Sequence, residues 1–278
     1  MALRTSRLGE AGKHAVVLFV LFFAMLPLYL MLVISFKSND QFTNNQWFFD
    51  PPSEWHWENW KYGWLTVRDN LANSMVVALG AVTLCLTIAV PTSYVLARYR
   101  FPGRELVYYG LMVTMFLPGG AAALVTTFNL INKLGLMNNL MALILLGGVA
   151  GQVTCVFILR QFIEEIPKEL FESAQIDGAG HIRQMWSIVL PLSGPIIGTL
   201  AIMQFIGAWN EIMLPLILLR DHELHTVPVA LLLLDGEYVK EYGKLMAGYA
   251  ISSIPLIVLF LFTMRMFVKG LTAGAVKG

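Results

Sequence analysis

Six stretches of the chain run without a single Asp, Glu, Lys or Arg: residues 14–36, 70–97, 106–132, 134–159, 184–210 and 245–264. About 20 largely apolar residues cross roughly 30 Å of hydrocarbon, so each run predicts one transmembrane helix. The fifth continues beyond Glu211 to Leu219, and the third is interrupted by Pro118, Gly119 and Gly120. Three connections are long, at residues 37–69, 160–191 and 220–244, and loops of that length are where docking or chemistry resides. The pattern predicts an all-α membrane protein of six transmembrane helices, with two short helices between the fourth and fifth.

The basic residues orient these spans. With the N-terminus in the cytoplasm, the inward ends and loops hold Arg4, Arg7, Lys13, Arg98, Arg100, Arg104, Arg160, Lys168, Arg183, Arg265, Lys269 and Lys277. Only Lys37, Lys61, Arg68, Lys133, Arg220, Lys240 and Lys244 then face outward, and both termini are cytoplasmic. The first run is longer than a secretory signal core and no small-residue cleavage site follows it, so it reads as an uncleaved span. The expected organisation is a cytoplasmic tail over 1–13, a first span over 14–36, a membrane core over 70–269 and a cytoplasmic tail over 270–278.

Composition sharpens this. The 278 residues are 57% hydrophobic and 13% charged, whereas soluble domains are about a quarter charged, so a soluble enzyme is excluded. A net charge of +1 gives no footprint for nucleic acid. Cys85 and Cys155 lie inside apolar runs and read as small buried hydrophobes. No phosphate-cradling loop, dinucleotide turn, zinc-protease helix or nucleophile elbow is present, so no catalytic residue, cofactor or metal is assigned to this chain. His222, Glu223 and His225 in the last outward loop resemble part of a metal site, but they lack a fourth ligand, and a solvated polar loop is the simpler reading.

A carboxylate within a span faces protein or a water-filled path. Glu211, with Asn210 and Gln204, therefore either lines a route for a hydroxyl-rich solute or forms a polar lock between helices. No series of acidic and His residues continues through the other spans, which weakens proton coupling. Trp47, Trp55, Trp57, Trp60 and Trp64 crowd the first outward loop, as an interfacial aromatic belt or as faces for sugar rings.

The connection at 160–191 is the most informative. Pro167 suits a helix start, Lys168–Asp177 are mostly helix formers, and Gly178 with Gly180 supplies a turn at positive φ. Ile166, Leu170, Phe171 and Ala174 recur at helical spacing, giving an amphipathic helix suited to a docking knob or to the lipid surface. A second helix leads through Ile188 and Val189 to Pro191, and the chain re-enters the membrane at Pro195.

Glu172-Ser173-Ala174, then Asp177-Gly178-Ala179, then Leu190-Pro191 resemble the EAA loop of type I ABC importer permeases, with Ser173 in place of the first Ala. Gly207-Ala208-Trp209-Asn210-Glu211 is similar to the W-N-E signature of the carbohydrate permeases of this family, and residues 270–278 resemble their terminal tail. The resemblance covers nearly the whole chain. It implies a coupling helix in which Glu172, Ser173, Ala174, Asp177, Gly178, Leu190 and Pro191 meet a cytoplasmic ATP-binding subunit. It also implies that Thr272, Gly274, Val276 and Lys277 reach between two copies of that subunit, and that Asp235, Gly236, Glu237 and Tyr238 touch an extracytoplasmic solute-binding protein.

The resemblance thus implies a permease subunit in the bacterial or archaeal cytoplasmic (inner) membrane, paired with a second permease subunit, for a sugar, glycoside or polyol. ATP and Mg would belong to the partner subunits. A related importer for oligopeptides, polyamines or anions is the nearest alternative. An ATP-independent secondary carrier is a more distant one, since no inverted repeat or ion relay is visible.

Overall fold

The computed structural model describes residues 7–116, 121–235 and 241–275. Their backbone forms α1 (Arg7–Ser35), α2 (Asn39–Asn44), α3 (Glu58–Arg98), α4 (Arg104–Thr114), α5 (Ala121–Lys133), α6 (Leu140–Ala150) and α7 (Gln152–Glu165). Then come α8 (Lys168–Ile176), α9 (His181–Gln184), α10 (Leu190–Leu192), α11 (Gly194–Trp209), α12 (Met213–Leu218), α13 (Val227–Asp235) and α14 (Tyr242–Ala275). No strand occurs among the described residues, as expected where helices satisfy their own backbone polar groups in lipid.

Three helices are long and apolar enough to cross a membrane, within 12–35, 58–98 and 242–264, and two bent pairs raise the number to as many as five. The charge-free runs therefore map onto helices of three kinds. The first, second and sixth are continuous. The fourth bends by 40° between α6 and α7, and the fifth by 78° between residues 181–192 and 194–209. The third is divided into α4 and α5, with Pro118, Gly119 and Gly120 outside the described residues. Hydropathy measures how apolar a run is and carries no information about its direction, so bends at Gly151 and at Ser193-Gly194-Pro195 leave the charge-free runs intact.

Two compact units emerge, residues 1–68 with 231–254, and residues 69–230 with 255–278. In the first, α1 is apolar on every side beyond His14, with Val16, Phe19 and Phe22 each more than 60% exposed, which only a lipid or protein surround accommodates. Lys37 is buried and ion-paired with Asp50. Asn59 donates to the carbonyls of Ser35 at 3.0 Å and Lys37 at 2.9 Å, fastening the end of α1 to the start of α3. The connection at 37–69 is thus partly helical, because α3 begins at Glu58 rather than near Asn70.

In the second unit the main core gathers Cys85, Tyr94, Leu159, Ile163, Phe171 and Leu200 from α3, α7, α8 and α11. Phe205 and Trp209 stack at 5.6 Å beside Ala78, with Leu256 and Leu259 packed against them. Cys85 and Cys155 meet here, their sulfurs 3.6 Å apart as free thiols. Read singly as buried hydrophobes, they are in fact partners across α3 and α7, a pairing that 70 residues of separation conceals.

Candidate functional site

The α7–α11 connection folds as two helical pieces. Pro167, expected as the first helical residue, instead holds the N-cap position, and α8 begins one residue later at Lys168. At the other end the Gly178 N–H donates to Gln175 at 3.0 Å and the Ala179 N–H to Ala174 at 2.8 Å, which satisfies carbonyls the helix would otherwise leave unpaired. That closure needs the left-handed conformation, and Gly178 has φ +78° with nothing within 4 Å of the place a Cβ would occupy. Gly180, by contrast, is extended and caps α9, so the turn rests on one glycine.

The inner side of α8 is fastened to the end of α3. Phe171 is 6% exposed, and the Arg98 guanidinium carbon lies 4.0 Å from its ring centroid. Arg98 Nη2 donates to the Ile163 carbonyl at 2.7 Å and to that of Ile166, where α7 ends. Gln184 is buried; its Nε2 donates to Ala179 at 2.8 Å while its Oε1 accepts from the Tyr94 hydroxyl at 3.2 Å. Neither Arg98 nor Gln184 stood out in the sequence, because one serves the charge count equally well as a flanking residue and the other begins an apolar run.

The outer side is free. Glu172, Ser173, Asp177 and Gly178 are exposed and Ala174 is half-buried. Beside them Ile176 is 87%, Ile182 74% and Trp186 64% exposed, an apolar surface that the helical spacing alone does not reveal. Of the apolar face expected from the spacing, Ile166 and Phe171 are buried, while Leu170 is 43% exposed. A π-helical turn at Met185–Val189 follows α9, then half-buried Leu190 and exposed Pro191 in α10.

A second feature is a cavity of about 300 Å³ among α6, α11 and α12, lined by Gln204, Glu211, Gly147, Gly151 and Gly207 with apolar neighbours. Gln204 Nε2 donates to the Gly147 carbonyl at 2.6 Å, and a Cβ on Gly151 would lie 1.9 Å from Gln204 Oε1, so glycine is required for this approach. Glu211 Oε1 accepts from the Met213 N–H at 3.0 Å and the Leu214 N–H at 3.2 Å, capping α12. Gln204 and Glu211 share the cavity; Asn210 does not, because it ends α11 on the exposed side.

The tryptophans of the 37–69 connection divide between packing and exposure. Phe36 sits between Trp55 at 4.7 Å, Trp57 at 5.0 Å and Trp60 at 5.4 Å, so Trp55 and Trp60 serve packing, while Trp57 remains 60% exposed and Trp47 and Trp64 51%. His222 and His225 lie 5.0 Å apart, and no group of three His, Cys, Asp or Glu that could hold a metal ion occurs among the described residues. Asp235 ends α13; Gly236, Glu237 and Tyr238 lie outside the described residues, as do Val276 and Lys277. Thr272 and Gly274 continue the helical backbone of α14, which extends into the stretch set apart in sequence as the C-terminal tail.

Long apolar helices, two bent pairs and a capped helical connection fastened at its inner side are the architecture of a multi-pass helical membrane protein. Residues 89–273 match the family described as "Binding-protein-dependent transport system inner membrane component", and the chain belongs to that family, the permease subunits of ABC importers. It is 33% identical to the arabinooligosaccharides transport system permease protein AraQ of Halalkalibacterium halodurans, covering 94% of each chain. It is 35% identical to the trehalose/maltose transport system permease protein MalG of Thermococcus litoralis over 75% of each. In fold it is similar to a chain of a bacterial ABC transporter that imports the acidic polysaccharide alginate, with TM-score 0.81, 20% identity, and 95% and 98% of the two chains covered.

Proposed function

We propose that this chain forms half of the path for a sugar, glycoside or polyol, handed over by an extracytoplasmic solute-binding protein and moved at the expense of ATP hydrolysed elsewhere. In this reading it has six spans and cytoplasmic termini in a bacterial or archaeal inner membrane, and pairs with a second, different permease subunit. Two copies of an ATP-binding subunit, which hold the ATP and Mg, sit beneath; the chain itself binds no cofactor. The saccharides named for the two relatives support the cargo class.

The observation that carries the coupling is the two-sided construction of α8. Its inner side is held by Arg98 and its outer side leaves Glu172, Ser173, Ile176 and Asp177 exposed, so a partner pushing on the outer face moves α3 and α7 with it. Ala174, Gly178, Leu190 and Pro191 shape the same seat. ATP shifts access only by binding one arrangement of the assembly more favourably, and α8 is the link between the two sites. Gln204 and Glu211 offer acceptors toward hydroxyl-rich cargo, Asp235 to Tyr238 face the binding protein, and Thr272 to Lys277 approach the ATP-binding pair.

Affinity purification of the tagged chain in mild detergent, followed by ATP-dependent uptake into vesicles with candidate saccharides, tests this. Recovery of an ATP-binding subunit and a second permease, with uptake that needs both ATP and the binding protein, is expected. A chain that purifies alone and transports without ATP would overturn it.

A further inference from the structure

A cleft of about 530 Å³ opens between the end of α3 and α8, and its charges do not balance. Arg98, Arg100, Arg104 and Lys168 line it, against Glu164 and Glu172. Two of these are already engaged elsewhere. Arg104 makes a fork to Glu105, at 2.9 Å through Nε and 2.6 Å through Nη2, and Glu164 accepts from Arg160 Nε at 3.0 Å. This leaves Arg98, Arg100 and Lys168 facing Glu172, with Glu164, held by Arg160, acting on Arg98 from beyond ion-pair distance. None of these three cations has a carboxylate within ion-pair distance among the described residues.

Arg98 is the least satisfied of them. Its Nη2 is taken by two carbonyls, neutral acceptors, and its Nε is buried without a hydrogen-bond partner. A guanidinium so placed keeps its full charge while losing water, a cost that an anion in the cleft would offset. His181, exposed on the same wall, adds a ring N–H.

We propose that this cleft binds a phosphoryl group. Such a group brings one to two negative charges and several strong acceptor oxygens, the complement of two guanidiniums and an ammonium without carboxylate partners. The cleft is larger than a phosphate needs, and basic pockets at the ends of membrane helices take phospholipid headgroups, so the phosphoryl comes from an anionic lipid or from free phosphate. Either source places its charge against the residue that holds Phe171, and occupancy therefore firms the seat of α8 on α3. The basic residues that orient a membrane protein need no ligand, and the experiment separates the two cases.

The purified assembly containing this chain is placed in nanodiscs of phosphatidylcholine alone or with phosphatidylglycerol, and retained lipid is counted by native mass spectrometry. In parallel, inorganic phosphate is titrated onto the phosphatidylcholine sample while its thermal unfolding is followed. Arg100→Gln with Lys168→Gln, both exposed side chains, is expected to weaken retention of phosphatidylglycerol on the order of tenfold. Glu172→Gln, which removes the lining carboxylate that no cation holds within ion-pair distance, is expected to strengthen it. Phosphatidylglycerol retained without a phosphate response identifies a headgroup site; stabilisation by phosphate that the double variant abolishes identifies a free-anion site. Equal retention by wild type and both variants, with no phosphate response, overturns phosphoryl binding.

Discussion

The guanidinium carbon of Arg98 lies 4.0 Å over the ring of Phe171, joining the last turn of α3 to the helix whose other face is exposed. The contact combines a cation–π attraction with two charge-assisted hydrogen bonds to the end of α7. Phe171 is the only one of α8's side chains that is buried, so the attachment is concentrated on one ring.

Replacing Phe171 with Ala is therefore expected to cost about 3–5 kcal/mol of local packing, concentrated in α8 and α9. Hydrogen exchange over residues 168–184 should accelerate while the apolar helices keep their protection, and ATP-dependent uptake should fall. Arg98→Lys retains a charge but loses the planar group that stacks on the ring while its Nη2 reaches both carbonyls, and should fall between wild type and Arg98→Ala. Unchanged exchange in Phe171→Ala would remove α8's anchor from this site.

Gly178 permits a cleaner substitution, since the only obstacle to a side chain is backbone conformation. With φ +78° and open space around it, Gly178→Ala should cost about 1–2 kcal/mol, and Gly178→Val more. Gly178→Asn should be milder than either, because Asn tolerates the left-handed region. The variants should insert and express normally while uptake declines in the order Asn, Ala, Val; equal uptake by all three would mean that the turn does not carry coupling.

The same contrast separates the legible parts of the fold from the rest. Gly178 is readable because a helix of good formers running into glycine has few other endings. The first, second and sixth spans are readable because each is one continuous helix. The 78° bend before α11, the absence of Asn210 from the cavity and the burial of Gln184 are not, since each depends on which way a chain turns or on a partner dozens of residues distant. Asn210 and Glu211 are neighbours in sequence, yet α11 ends between them, so one is turned outward while the other caps α12.

Cys85 and Cys155 provide a direct check on that long-range packing. Their sulfurs are 3.6 Å apart, so about 1.5 Å of closure reaches the length of a disulfide bond. Iodine, which enters lipid, should oxidise the pair, taking two electrons and releasing two protons as hydrogen iodide. After denaturation, neither cysteine of the oxidised chain should react with maleimide until a reductant is added, whereas Cys85→Ser should leave Cys155 reactive throughout. Two reactive thiols after oxidation of the wild type would show that α3 and α7 do not meet at this level.

His225 gives the last prediction, a dependence of stability on pH. The residue is 7% exposed, and burial, followed by the neighbouring His222, pushes its imidazole below the usual histidine value. Its carbonyl accepts from Asn70 at 2.8 Å and Asn73 at 3.1 Å, so the ring is held inside by backbone contacts that titration does not alter. A base with a depressed value binds its proton more readily when unfolded, and the unfolded chain gains that advantage as pH falls below about 6.5. Stability from His225 is thus present above that pH and is lost as pH falls from there through the folded value, below which the loss levels off. The detergent-solubilised chain should unfold at lower temperature at pH 5.5 than at pH 7.5, and His225→Gln, which keeps the carbonyl and carries no charge, should flatten the difference. His222→Gln should flatten it less, because burial outweighs the neighbouring ring; an equal effect of the two substitutions would show that charge repulsion, and not burial, controls the site.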